Sequence, residues 1–303
     1  MTGQHQIAGA RPLRGVPAQL VAGVILVGVS WPLAWFGPAP FSEHTFFPLW
    51  LGYILTVDGL AYMRGGTSLL MRDHPRFVLL FAMSIPLWWL FEFANEFLRN
   101  WRYIMARQYG PVAYGALASL AFSTVMPAVF VTAELYRTFS PFARVRRWIR
   151  LVPSRAGQGA IAVLGLAMFV ASLAFPDVAF PLVWIGVFLF LDAINALIGG
   201  RSLAEQVAAG RWDTVLVLFA AGITCGFFWE MWNIRSLPKW VYDVPHVTGP
   251  KLFEMPLLGY GGYLPFALEI YAFYHFAQTA IFRRRDTYLC FDRPPGSGLL
   301  DTG

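Results

Sequence analysis

Eight stretches of this chain run for about 20 residues each with almost no charged side chain, the length an α-helix needs to cross the hydrocarbon core of a bilayer. They cover roughly 16–36, 45–63, 77–98, 111–136, 158–175, 179–198, 213–233 and 257–282. Inside lipid every backbone N–H and C=O must find its partner within the protein, so a chain of this pattern spans as helices. Composition agrees. Only 13% of the residues are charged, about half the share of a water-facing domain, so a wetted surface cannot be covered. The expected fold is all-α and integral to a membrane, with about eight transmembrane helices. Pro32, Pro86, Pro127, Pro181 and Pro265 interrupt five of the runs. Neighbouring helices can satisfy the carbonyls they free.

The first run follows Arg11 and Arg14, as a signal peptide would. It is long, contains Trp31 and Trp35 and lacks a small-residue cleavage site, which predicts a retained helix. Loop charge sets orientation. With the N-terminus inside, 17 of the 23 basic residues face the cytoplasm, and the positive-inside rule puts both termini there, with the bacterial cytoplasmic membrane as the expected location. Six arginines between Arg137 and Arg155 form a basic connector near anionic lipid. The net charge of +6 does not indicate nucleic acid, because its basic residues sit in short loops between apolar runs. Cys225 and Cys290 form neither a disulfide framework nor a CxxC site.

The chain repeats itself. FPLWLGYILTVDGLAYMRGGTSL, from Phe47 to Leu69, is echoed by FPLVWIGVFLFLDAINALIGGRSL, from Phe180 to Leu203. Asp58 matches Asp192, and the Gly-Gly-x-Ser-Leu that follows matches at the same offset. Glu92 and Asn95 match Glu230 and Asn233, Trp101 and Tyr103 match Trp240 and Tyr242, and Glu134-Leu135-Tyr136 matches Glu269-Ile270-Tyr271. Shared hydrophobicity does not produce matched acids and amides in one order. The expected organisation is a four-helix unit over 1–140, a connector over 141–157, a second unit over 158–285 and a disordered cytoplasmic tail over 286–303. Four helices per unit give both the same orientation, as in parallel-repeat transporters.

Ionisable residues at membrane depth are costly and point to function. Helix rise places Glu92 about 22 Å along its helix, in the outer half, with Glu230 alike; Asp58 and Asp192 fall in the inner half. Glu92 with Asn95, and Glu230 with Asn233, are spaced i, i+3 and share a helical face. If the units face each other, the four residues line one polar pocket in which a protonated glutamic acid serves as general acid or proton carrier. The competing expectation is hydrogen bonding between helices. Asp58 and Asp192 are candidate proton-path residues, or else bonds to nearby backbone or a loop arginine. Glu134 is expected near enough to the inner interface to be wet. Glu269, six residues before His275, lies deeper and is a candidate binding residue.

Trp89 and Trp229 can offer ring faces to developing positive charge. Trp101, Tyr103, Trp240 and Tyr242 are expected in an aromatic belt or as a lid over the acids. Tyr260, in the glycine-rich entry GYGGYLP to the last helix, marks where the units should differ and where substrate contact is expected. Phosphate-loop, nucleophile-elbow and HExxH motifs are absent. The five histidines are scattered, so no metal is indicated; a haem or quinone role for His275 competes with an ordinary helix contact. The cofactor and the oligomeric state are left open by the sequence.

The stretch W-E-x-W-N … K-W-x-Y … F-E-M-P-L-L-G-Y … P-F-A-L-E, Trp229 to Glu269, is similar to uncharacterised bacterial multipass membrane proteins. It also locally resembles the integral-membrane lycopene cyclases, where a Trp–Tyr segment precedes a proline–acid motif on a helix. That resemblance implies acid-initiated cyclisation of a long isoprenoid. Here Pro256 is followed by Leu257 and Leu258 instead of paired glutamates, so no catalytic residue carries over. The residues support a multipass protein that binds an apolar lipid or isoprenoid at a Glu/Asn pocket between the repeats, with acid catalysis. The alternatives are a proton-coupled secondary transporter using the same acids, and a structural or assembly role.

Overall fold

A computed structural model describes residues 15–143, 148–247 and 249–291. Arg11, Arg14, Arg144, Arg146, Arg147 and Arg293, which count toward the predicted orientation, lie outside the described residues, as does 292–303 of the expected tail. The elements run α1 (Ala18–Phe36), α2 (Phe46–Gly65), α3 (Leu69–Arg72), α4 (His74–Leu98), β1 (Trp101–Ile104), α5 (Pro111–Phe122), α6 (Val125–Tyr136), α7 (Ser140–Ala143), α8 (Arg155–Ala174), α9 (Pro176–Ala179), α10 (Leu182–Leu197), α11 (Leu203–Ala208), α12 (Asp213–Asn233), β2 (Lys239–Tyr242), β3 (Lys251–Leu252), β4 (Met255–Pro256) and α13 (Tyr263–Phe276). Among the described residues, six spans are long and apolar enough to cross a membrane: α1, α2, α4, α5 with α6, α8 and α12. α10 is a shorter apolar helix, and α13 has 14 residues before a π-helical turn at Ala277–Ile281.

The departures from the expected helices have local causes. The run at 111–136 breaks between α5 and α6. Pro127 has no N–H to offer the carbonyl of Ser123, and the hydroxyls of Ser123 and Thr124 bond back to Leu120 O and Ala121 O, in competition with the helix. Ser84 of α4 stitches the gap, donating to Phe122 O at 2.6 Å and accepting from Met126 N at 3.0 Å. α10 starts after Pro181, leaving 16 residues. The last run opens as a 3-10 segment, Leu257–Gly262, because three glycines in six residues form helix poorly.

α1 packs on α2, and α8 on α10, through glycines. A Cβ on Gly23 would stand 2.5 Å from Thr56 N, and one on Gly165 would stand 2.5 Å from Phe190 N. Close backbone approach of this kind is how helices associate in lipid, where no hydrophobic drive separates them from the acyl chains. Val24, Ile25 and Val29 on α1, and Val163, Leu164 and Val170 on α8, are exposed, as suits lipid-facing helices. Further in, α2 packs on α6 and α10 on α13, with α12 against both α6 and α13. Trp50, Phe91, Phe130, Tyr271 and Tyr274 are among the fully buried rings.

The loops after α4 and α12 join. β1 pairs antiparallel with β2, with Trp101 opposite Tyr242 and Tyr103 opposite Trp240. Arg102 and Val241 sit at the centre, so the ribbon has a local twofold axis there. At the other end, the expectation of a disordered tail from residue 286 is corrected for the part described. Asp286, Tyr288, Leu289, Cys290 and Phe291 are all buried, because this aromatic and apolar segment folds back against α3, α6 and α13.

Candidate functional site

Glu92 and Glu230 sit in cages of ring donors. Glu92 Oε1 accepts from Tyr103 Oη at 2.6 Å, Trp88 Nε1 at 2.9 Å and Trp101 Nε1 at 3.2 Å. Glu230 Oε1 accepts from Tyr242 Oη and Tyr263 Oη, each at 2.6 Å, and from Trp240 Nε1 at 3.4 Å. Burial pushes the Tyr103 and Tyr242 phenols well above their ordinary range, reinforced by the adjacent carboxyls, so both remain neutral donors. Glu230 is fully buried and its Oε2 has no partner among the described residues.

The amides do something other than face the carboxyls. Asn95 donates to Trp101 O at 2.8 Å and accepts from Asn100 N at 2.9 Å. Asn233 donates to Trp240 O at 2.7 Å and accepts from Trp240 N at 2.9 Å. Each fixes the chain leaving its helix, which positions the caging Trp and Tyr two residues apart on the ribbon. Rings fill the way from one cage to the other. Trp101 stacks on Trp184 at 6.4 Å, Trp184 meets Phe266 at 5.6 Å, Phe266 meets Trp229 at 6.3 Å, and Trp229 stacks on Tyr263 at 6.0 Å. The two carboxyls share no hydrogen-bond donor.

Trp229 therefore reaches its acid through Tyr263, and lies 5.0 Å from Trp50. Trp89 points elsewhere, donating to Ser119 Oγ at 3.0 Å. Its neighbour Trp88 reaches Glu92, and the i, i+4 spacing is the signal that identifies it. Tyr260 donates to Leu252 O at 3.3 Å, and Tyr263 in the same glycine-rich segment takes the place at Glu230.

Asp58 and Asp192 both hold short helices. Asp58 accepts from Ser68 Oγ at 2.7 Å and Leu70 N at 3.1 Å. Asp192 accepts from Leu203 N at 2.7 Å and Ala204 N at 2.9 Å. The Gly-Gly-x-Ser-Leu that follows each supplies the reversal: Gly66 and Gly199 adopt φ of 75° and 77°, a conformation open to glycine, and Ser68 and Ser202 cap α3 and α11.

The matched pair Glu134 and Glu269 diverges. Both are buried, at 1% and 0% exposure, so Glu134 is not the wet interfacial residue expected of it. Glu134 is clasped by Arg72 at 2.5 Å and Arg137 at 2.8 Å. The corresponding second-unit positions hold Gln206 and Ala272, and neither oxygen of Glu269 has a hydrogen-bond partner among the described residues. Gln206 donates to Tyr271 Oη at 3.1 Å and Asn195 to Ala272 O at 2.9 Å. Their own oxygens are buried without donors. Two amides thus hold the turn of α13 that carries Glu269 while bringing no cation to it. His275 is buried against Tyr271 at 4.3 Å, with Nε2 unpartnered.

Among the described residues, no group of three or more His, Cys, Asp or Glu side chains is arranged to hold a metal ion. No protein-family description, no curated protein and no solved structure matches this chain.

Proposed function

We propose that the chain is a proton-coupled membrane carrier for an apolar small molecule, built from two like-oriented four-helix units, with Glu269 as the proton-carrying group. One observation carries this reading: Glu269 is buried with no hydrogen-bond partner among the described residues, where its counterpart Glu134 is held by two arginines. An unpaired charge in such surroundings costs several kcal/mol, so Glu269 keeps its proton in this arrangement. It releases the proton only when water or a cation reaches it. A group that alternates in that way is a proton carrier.

The duplicated organisation is supported by paired detail. The glycine-mediated hairpins, the two aspartate caps, the two glutamate cages and the twofold ribbon recur in the same order. Eight crossings follow if α10 and α13 are counted with the six longer spans, and loop charge then places both ends in the cytoplasm.

The test is proton movement. Purified protein in liposomes with a trapped pH dye is given a pH step, and Glu269→Gln is compared with the unaltered chain. The expected result is loss of protein-dependent proton flux in the variant; equal flux from both ends the reading. Lipid or isoprenoid chemistry at Glu230 is the second reading, favoured by its buried Oε2, which has no hydrogen-bond partner among the described residues. It predicts a co-purifying apolar compound, seen by mass spectrometry, that Glu230→Gln loses.

A further inference from the structure

The chain turns back on itself after α13. Arg283 adopts φ of 53°, a left-handed conformation. Arg284 ties the turn to the preceding helix, with Nε on Gln278 Oε1 at 2.7 Å and its backbone N–H on Gln278 O at 3.0 Å. The six residues Asp286–Phe291 then lie along both units. On the first, Tyr288 Oη donates to Leu69 O at 2.8 Å, Arg72 Nη1 donates to Tyr288 O at 2.8 Å, and the Phe291 ring lies 6.0 Å from Phe130. On the second, Phe291 lies 6.0 Å from Tyr271, and the Leu289 backbone bonds His275. Asp286 caps the segment through Leu289 N at 2.8 Å and stands 3.8 Å from Arg76.

This placement covers the meeting point of α6 and α13, where Phe130 and Tyr274 touch at 5.7 Å. The segment is also wired to the buried ion pair, because Arg72 holds Tyr288 O with one nitrogen and Glu134 with the other. A short segment held by few polar bonds opens at lower cost than the helices beneath it.

We infer that Asp286–Phe291 is a plug seated across the seam between the units, and that its release exposes the seam to water. Naming the acid beyond the seam as the carrier's proton site rests on the function proposed above; the seating and its release do not. The plug contains its own probe, since Cys290 is 6% exposed and Cys225 is fully buried in α12.

The experiment uses the full chain in nanodiscs, with Cys225→Ala and a water-soluble maleimide. Cys290 should label slowly, and Tyr288→Ala, which removes the bond to Leu69 O, should speed labelling by about tenfold or more. Fast labelling without that substitution overturns the seating, and an unchanged rate with it overturns the hold. A second pair tests what the plug covers. Phe130→Cys should be protected in the full chain carrying Cys225→Ala and Cys290→Ala. It should become reactive when the chain ends at Arg285, with the same helical circular dichroism. Protection in both means that the segment closes nothing. Neither readout involves proton flux, so failure of the carrier reading leaves the plug standing, and the reverse also holds.

Discussion

Helices α6 and α13 carry the same pattern, Glu134-Leu135-Tyr136 and Glu269-Ile270-Tyr271, at the same burial, and give their carboxyls opposite surroundings. On α6 two guanidinium groups, attached to the chain, complete the site. On α13 the equivalent positions are an amide and a methyl, and the carboxyl is left bare. Two similar helices can thus hold one buried acid in a clamp of arginines and leave the other without a cation; on the proposed function, the second is the acid that exchanges a proton. The difference comes down to positions 72 against 206 and 137 against 272.

The largest expected effect is on the clamp. Glu134→Ala leaves Arg72 and Arg137, 17% and 7% exposed in their side chains, with no acid between them, and the cost approaches that of breaking a buried pair from one side, about 3–5 kcal/mol. Thermal unfolding of the purified protein in detergent should show that loss. If Glu269 keeps its proton as proposed, Glu269→Gln replaces one uncharged group by another of similar size and should cost about 1 kcal/mol or less. Equal losses from the two would break the comparison.

Next comes transplantation. Gln206→Arg brings a cation to the second unit where Arg72 stands in the first. If the arginine is what makes the first site a clamp, the variant should fold and Glu269 should stay ionised. Proton flux in the liposome assay should fall by about tenfold or more. Undiminished flux would show that the cation does not decide the difference.

Much of this frame is legible in the sequence, and the reasons are physical. Long uncharged runs announce membrane-crossing helices, and six of them are long and apolar enough among the described residues. Asp58 is expected either on a proton path or bonded to nearby backbone or a loop arginine; its bonds to Ser68 Oγ and Leu70 N depend on φ values that spacing does not give. Asn95 and Asn233 share a helical face with their glutamates, yet backbone at the helix ends competes for an amide more strongly than a neighbouring carboxyl does. Arg72 lies 62 residues from Glu134 and the tail lies 216 residues from Arg72; no local period links partners at that separation. Trp88 was within reach of periodicity, and Trp89 beside it offers the same residue type on another face.

The aspartate caps sharpen the comparison at smaller cost. An asparagine at position 58 can accept from Leu70 N and turn its amide hydrogens toward the Ser68 oxygen, so Asp58→Asn should cost about 1 kcal/mol. Asp192 spends both oxygens on backbone N–H groups. An asparagine there must set an N–H₂ against an N–H donor, so Asp192→Asn should cost about 2–3 kcal/mol. Chemical denaturation of the two variants side by side checks the order, and a reversal would mean that the two caps are not the same device.

The smallest effect is expected just before α2, where the same chemistry recurs at a more exposed pair. Glu43 Oε2 meets Arg107 Nε at 2.6 Å, and its Oε1 meets Arg107 Nη2 at 2.8 Å, a two-pronged pair like the clamp on Glu134. Here the guanidinium is 49% exposed. Hydrogen bonding from Arg107 holds the Glu43 carboxyl below its ordinary value of 4.5. A lowered value in the folded state means that the pair stabilises the fold above the ordinary glutamate range. That contribution fades as pH falls through the folded-state value. Thermal midpoints followed downward from pH about 6 should therefore drop slightly more for the unaltered chain than for Arg107→Gln, which has no such contribution to lose. Solvent screening keeps the difference small. A drop as large as that of Glu134→Ala would mean that burial is not what separates a clamp from a surface pair, and the contrast between α6 and α13 would lose its physical basis.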